Sequence, residues 1–269
     1  MTLSLQELAN LGASLTLAAR KQLDAVGSIA GPANDSRYYA QASAFVLLAR
    51  TLHLLDEQSV CVRSNAPEAA RMLLRQIIEL DITGRYLLAY PDQVEWAVDE
   101  TVRQRRAQLA ASRMDPNDPL VVAFSQEHPM PEEHSRVSVE QMATRVGSLD
   151  QYVSLYRQIS RTVMHTLDSL EPYASVTPTD TTRLEIHPRP IIPPAYLTDE
   201  EALTWGIVVT YNLARYAITN NDPMSLTEPL VGLEPSITAA LHRSCRSRQR
   251  TSWSRSIIRG NEAILFRLL

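Results

Sequence analysis

Glycine and lysine are the scarce residues of this chain. Its 269 residues include 8 glycines, about 3% against an average near 7%. Tight hairpins and phosphate-cradling loops depend on glycine's freedom at positive φ, so the shortage argues against dinucleotide-binding and P-loop enzymes. Of 26 basic residues, 25 are arginine and Lys21 is the single lysine. No second lysine exists for a P-loop or a catalytic amine. The bias suggests a GC-rich bacterial genome as much as a physical demand. Two cysteines, Cys61 and Cys245, make neither a disulfide framework nor a zinc site, which suits a reducing compartment. No stretch approaches 18 uncharged apolar residues, so no membrane span is expected. Met1 to Asn10 lacks a basic segment followed by an apolar run, so no secretory signal is read there. A cytoplasmic protein is the expectation.

Signature motifs are missing as well. There is no G-x-G-x-x-G, no G-x-x-x-x-G-K-[ST], no H-E-x-x-H and no G-x-S-x-G. The Glu-x-x-His pairs that build di-metal sites in helical bundles are also missing. His53 and Glu57 stand four apart, yet a metal site needs three or four ligands. His128 and His134 fall in a proline-broken loop. No metal and no cofactor are expected.

Charge is unevenly placed. The net charge is −4, but residues 242–269 hold seven arginines against Glu262 alone. That segment carries +6 and the preceding 241 residues carry −10. A basic tail can meet phosphate or the acidic face of its own body.

What the sequence has in abundance is helical periodicity. Leu5, Leu8, Leu11, Leu15 and Ala18 trace one stripe of a first helix ending near Gly27. Asn34-Asp35-Ser36 caps a long alanine-rich helix to about Ser64, and Pro67 opens another through Tyr90. A more charged helix runs from Val94 to Arg113. Prolines 116, 119, 129 and 131 then interrupt the pattern around a short apolar island, Val121–Phe124. Ser138 with Gln141 is a capping box, and Tyr152, Leu155, Tyr156, Ile159, Val163 and Leu167 line one side of a helix reaching Pro172. The stretch from Pro178 to Pro194 reads as an extended connector, because X-Pro steps disfavour helix. Thr198-Asp199-Glu200-Glu201 caps a last long helix, and Pro235 opens a short one. The expectation is an all-α multi-helix bundle. It forms a single domain over residues 1–241 with a proline-rich crossover at about 172–197, followed by an arginine-rich tail, 242–269.

Two helical segments carry polar groups worth following. On the first, Arg71, Arg75 and Glu79 share a line at four-residue steps, with Arg85 and Tyr86 further on. An Arg75–Glu79 pair is worth only about 0.3–0.5 kcal/mol if exposed, but this helix is apolar over most of its circumference. Near the core the pair becomes either a specific polar contact or a buried structural network. On the second, Tyr156 and Ser160 mark a polar strip, and Arg161 and His165 lie four apart with Asp168 three residues beyond. An imidazole between a guanidinium and a carboxylate can act as a general acid or base. A simple helix-surface hydrogen bond explains the same spacing.

At these segments the chain resembles the DUF5677 family, helical bacterial proteins without a settled activity. One family helix reads roughly A-x-x-L-x-R-x-x-x-E, matched by Ala70 to Glu79 with Arg75 and Glu79 at the polar positions. A later helix reads roughly Y-x-x-x-S-x-x-x-H. Tyr156 and Ser160 match, whereas Met164 stands at the family's histidine and His165 comes one residue later. The resemblance spans about residues 36–170. The layout is also similar to HEPN-type helical domains of toxin and phage-defence systems, metal-independent ribonucleases with an Arg-x(4–6)-His motif. Arg161 and Arg157 precede His165 with three and seven intervening residues, outside that spacing.

These readings lead to a ligand- or partner-binding module. Its polar site between two helices is formed by Arg75, Glu79, Tyr156 and Ser160, with His165 as a further candidate and Arg85 nearby. The alternatives are a HEPN-like ribonuclease and a small-molecule enzyme, with His165, Arg161 and Glu79 as the catalytic candidates. The candidate partners are a small molecule, a protein, RNA, or a second copy of the chain.

Overall fold

The structure, a computed structural model, describes residues 3–27, 35–112, 115–129, 137–163, 174–177, 183–186, 197–221 and 228–248. It is an all-α multi-helix bundle. Helix α1 (Leu5–Val26) starts at a reciprocal capping box between Ser4 and Glu7 and stops at Gly27, whose φ of 61° a side chain would resist. Helix α2 (Ser36–Arg63) is capped by Asp35, and α3 (Pro67–Ala89) takes Pro67 in its first turn. A 3-10 turn at Pro91–Gln93 leads into α4 (Val94–Ala111), then α5 (Pro119–Glu127) and α6 (Val139–Arg145). The expected capping box at Ser138 and Gln141 is present in both directions.

The segment after Ser148 is not the uniform helix that its periodicity predicts. One α-turn, α7 (Leu149–Gln151), passes into a π-helical turn over Tyr152–Tyr156 and then into α8 (Arg157–Val163). Val163 is its last described residue. Part of the expected connector is also regular. Strands β1 (Ala174–Thr177) and β2 (Arg183–Ile186) pair antiparallel, with Ala174 opposite Ile186 and Thr177 opposite Arg183. Neither strand contains a proline, so every residue in them can offer its amide to the pairing. Helices α9 (Asp199–Asn221), α10 (Glu228–Val231) and α11 (Glu234–Arg248) complete the chain's described part. Helix α11 continues through residue 242, where the basic segment begins.

Helices α2, α3 and α9 form the centre, with α1 against α2 and α9, α6 and α8 against α3, and α11 against α9. Helix α9 is the most enclosed, since every residue from Glu201 to Tyr211 is buried. A helix apolar on all sides belongs at the middle of a bundle. Two buried glutamines of α2 fix its antiparallel register against α9. Gln41 donates to the Ala217 carbonyl at 2.6 Å and Gln58 to the Ala202 carbonyl at 3.0 Å. Gln58 also donates to Ala70 of α3 at 3.2 Å, so one fully buried amide ties three helices together.

That amide needs Gly206, because a Cβ there would fall inside van der Waals contact of Gln58 Oε1. Gln58 has nowhere to retreat without giving up two carbonyl partners in the core. Gly206→Ala is therefore expected to destabilise the bundle by about 1–3 kcal/mol. Urea unfolding would measure this, and a midpoint unchanged from wild type would contradict the close packing of Gln58 on α9.

Candidate functional site

Helix α3 places its apolar residues Ala70, Leu74, Ile77, Ile78 and Ile82 in the core, all with essentially no exposure. Positions four apart lie one above another on a helix, so Arg71, Arg75 and Glu79 form a polar flank beside that face. The partner of this flank is the π turn with α8, whose Leu155 and Ile159 are buried while Tyr156 and Ser160 meet α3. The π turn supplies the aim. It carries about one residue more per turn than an α-turn, which rotates the helix after Tyr156 by about 100° relative to the helix before Tyr152. Its closing bond runs from the Arg157 amide to the Tyr152 carbonyl.

The seam is closely bonded. Arg75 donates through Nε to Ser160 Oγ at 2.9 Å and through Nη2 to Tyr156 Oη at 2.7 Å. Its Nη1 stands 3.4 Å from Glu79 Oε2. Tyr156 donates to the same carboxylate oxygen at 3.1 Å, and Ser160 donates to the Tyr156 carbonyl at 2.7 Å. The Arg75 guanidinium also lies 4.7 Å from the centre of the Tyr156 ring, and Tyr152 stacks on that ring at 5.1 Å. Burial, with the Glu79 charge, pushes the Tyr156 hydroxyl up to about 12, Arg75 pulling the other way. The phenol therefore stays neutral at physiological pH and serves as a hydrogen-bond relay into Glu79. The seam reaches the surface: the Arg75 and Glu79 side chains are 22% and 38% exposed.

Of the residues singled out in the sequence, Arg75, Glu79, Tyr156 and Ser160 come together. Arg85 does not join them. It is buried and bidentate to Asp81, at 3.0 and 2.5 Å, with Gln151 Oε1 at 3.5 Å from Nη2. Burial pushes the Asp81 carboxyl up, and Arg85 and Gln151 act against it. His165 and Asp168 lie outside the described residues, as does the side chain of Arg161. Among the described residues no group of three or more histidine, cysteine or acidic side chains is placed to hold a metal. His53 and Glu57 form a 3.1 Å surface pair, while His134 falls outside the described residues.

Arg71 is the residue that sequence reasoning placed in line but gave no partner. It is 2% exposed and donates through Nε and Nη2 to the Leu197 carbonyl, at 3.2 and 2.7 Å, with Asp199 3.7 Å away. Leu197 lies two residues before α9. Nothing local in the sequence links positions 126 residues apart. The Asp81–Arg85 pair did leave a signal, an acid four residues before an arginine inside an apolar run.

Two grooves lie elsewhere. One of about 350 Å³ includes Ser4, Thr198, Glu200 and Arg243, and one of about 500 Å³ includes Val231, Glu234 and His242. Neither contains a residue of the seam.

Fold and seam together define a class, an all-α bundle in which two packed helices share a charged, partly exposed hydrogen-bond network. The chain belongs to DUF5677, described as a family of unknown function, whose profile matches residues 41–181, just over half of the chain. That span takes in most of α2, all of α3 and the seam helix α8. No curated protein and no solved structure matches the chain. No helix among the described residues is long and apolar enough to cross a membrane.

A double-mutant cycle tests the seam. Arg75→Ala and Tyr156→Phe should each destabilise the protein and couple by about 0.5–3 kcal/mol in chemical unfolding. Additivity within about 0.3 kcal/mol would show that the two side chains do not act together. A second expectation concerns alkaline pH. Tyr211, whose Oη donates to Glu234 at 3.2 Å, is also pushed up to about 12, chiefly by burial and then by the Glu234 charge. Both phenols keep their protons longer in the folded chain than in the unfolded one. The stability they contribute is complete below pH 10 and is lost as pH rises toward 12. Denaturant midpoints should fall through that window, less steeply in Tyr156→Phe and Tyr211→Phe. A decline identical in both variants and wild type would contradict the assignment.

Proposed function

We propose that this chain is a binding module whose rim of Arg75, Glu79, Tyr156 and Ser160 takes a polar small molecule or a segment of a protein partner. The supporting observation is how the seam's hydrogen-bonding capacity is used. Arg75 has five N–H donors, of which three point at Ser160, Tyr156 and Glu79. Two remain at a partly exposed guanidinium, beside a carboxylate whose Oε2 is occupied and whose Oε1 is left for a visitor. A donor edge next to an acceptor fits a carboxamide, a peptide group or a nucleobase edge. The internal bonds hold both groups in place, so a visitor finds them already ordered.

Arg85, held by Asp81 in the core, stands behind this reading only as a neighbour on the same helix. The enzymatic readings add His165 as general acid or base and Arg161 as phosphate stabiliser, with Glu79 as the acid of a small-molecule pocket. The same reading divides the chain into a helical body, residues 1–241, and a basic tail, 242–269, whose first turns continue α11.

Native mass spectrometry of the full chain isolated from its own cells tests the proposal. A co-purifying ligand or partner should be present in the wild type and lost in Arg75→Ala and Glu79→Gln. An adduct that persists in both variants, or no adduct at all, would overturn the rim as a binding site. RNA incubated with the chain in EDTA separates the ribonuclease reading. Cleavage that vanishes in His165→Ala would replace the binding module with that enzyme, and intact RNA would reject it.

A further inference from the structure

Helix α11 has a second face that the bundle does not use. Its Ile237, Ala240 and Leu241 are buried, and α9 is the helix it chiefly packs on. The opposite side carries Pro235, Thr238, Ala239 and His242, at the steps i, i+3, i+4 and i+7 that make one helical stripe. Val231, at the end of α10, sits beside that stripe and is 49% exposed. With Glu234 these residues line the groove of about 500 Å³. Glu234 accepts from Tyr211 and stands 3.6 Å from Arg215, so what the groove offers is apolar surface rather than a spare charge. Among the described residues no element lies over it, and Pro235 and His242 are exposed.

The chain itself supplies a segment of matching form. Residues 249–269 follow α11 and lie outside the described residues. From Ile257 onward their sequence is patterned. Ile257, Ile258, Ile264, Leu265 and Leu268 stand at i, i+1, i+7, i+8 and i+11, with Asn261 at i+4. On a helix these positions make one apolar stripe, and Arg255, Arg259 and Arg267 fall off it. So short an amphipathic helix is marginal alone in water and gains its stability by packing its apolar face.

Length and charge both fit a return along α11. Reversal between two packed helices takes about 2–8 residues, which residues 249–256 provide. A helix starting at Ile257 then runs antiparallel to α11, and with equal rise per residue in both helices it reaches the level of Pro235 near Leu268. Ile264 then comes level with Ala239, so the apolar half of the tail falls on the groove. The body before residue 242 is acidic and the tail is basic, so the two attract wherever salt does not screen them.

We infer that residues 257–268 dock in the groove of α11 on their own chain, their isoleucines and leucines covering Val231, Pro235 and Ala239. The tail closes the open side of α11 as an αα-hairpin. The seam of Arg75 and Glu79 takes no part, so the two assignments stand independently.

Hydrogen exchange of the full chain, read by mass spectrometry, tests the inference. In the wild type the amides of residues 257–268 should exchange at least about tenfold more slowly than in unstructured chain, at every protein concentration. Leu265→Asp in the tail and Ala239→Arg in the groove should each remove that protection, and Leu265→Asp should also speed exchange in residues 235–242. The amides of α3 should stay as in the wild type. A wild-type tail exchanging at unstructured rates would overturn the inference, as would tail protection that survives Ala239→Arg. Protection that appears only with phosphatidylserine vesicles would make the segment a membrane contact, and protection that grows with protein concentration would make its occupant a second copy. Either result would overturn docking within the chain.

Discussion

A guanidinium cannot shed its charge in a protein, and it brings five N–H donors wherever it is buried. Helix α3 carries three such groups on the sides that meet other elements, and their needs organise the architecture around it. Arg71 reaches the Leu197 carbonyl just before α9, and Arg75 reaches Tyr156 of the π turn and Ser160 of α8. Arg85 is held by Asp81 with Gln151 beside it. Arg71 and Arg75 are one helical turn apart. Helix α8 and the residue that precedes α9 by two positions are thus tied to successive turns of α3, through charge-assisted hydrogen bonds about twice as strong as neutral ones.

This constraint explains why the seam is both structural and available. Buried ion pairs bring costs of desolvation that apolar packing avoids, and a bundle needing only stability could have used leucine at position 75. The network instead holds a neutral tyrosine, a serine hydroxyl and a carboxylate around one guanidinium, and leaves part of that guanidinium and carboxylate exposed. Membership in DUF5677 covers α3 and α8 in one span, so the family's defining segment includes every residue of the seam. Helices α4 and α5 lie within the same span, but beyond Ala97 none of their residues whose burial is described joins the core.

Most of the helical layout was legible in the sequence because caps and apolar periodicity are local. Ser4 with Glu7, Asp35, Pro67, Ser138 with Gln141 and Thr198 with Glu201 all act within one helical turn of a helix start. The pairing of Arg75 and Glu79 with Tyr156 and Ser160 was legible only as two polar strips, and the π turn that aims one at the other left no compositional trace. A one-residue change in helical repeat depends on what α3 offers across the gap. The role of Arg71 was hidden for the same reason, since its partner is a backbone carbonyl, which any residue at position 197 supplies. The β1–β2 hairpin was read as plain extended chain because proline spacing reports what backbone avoids, not what it pairs with. The enclosure of α9 was not legible, because it depends on the small residues Gly206, Thr204 and Thr210 letting helices close on its sides.

Adjacent arginines of α3 separately anchor α8 and the start of α9, and the account of the seam rests on that anchoring. Native-state hydrogen exchange of wild type, Arg71→Ala and Arg75→Ala measures it directly. Arg75→Ala should lower amide protection in α8 while the first turns of α9 keep theirs, and Arg71→Ala should do the reverse. If each substitution lowered protection evenly across the bundle, or neither changed protection at its own partner, the anchoring account would be wrong.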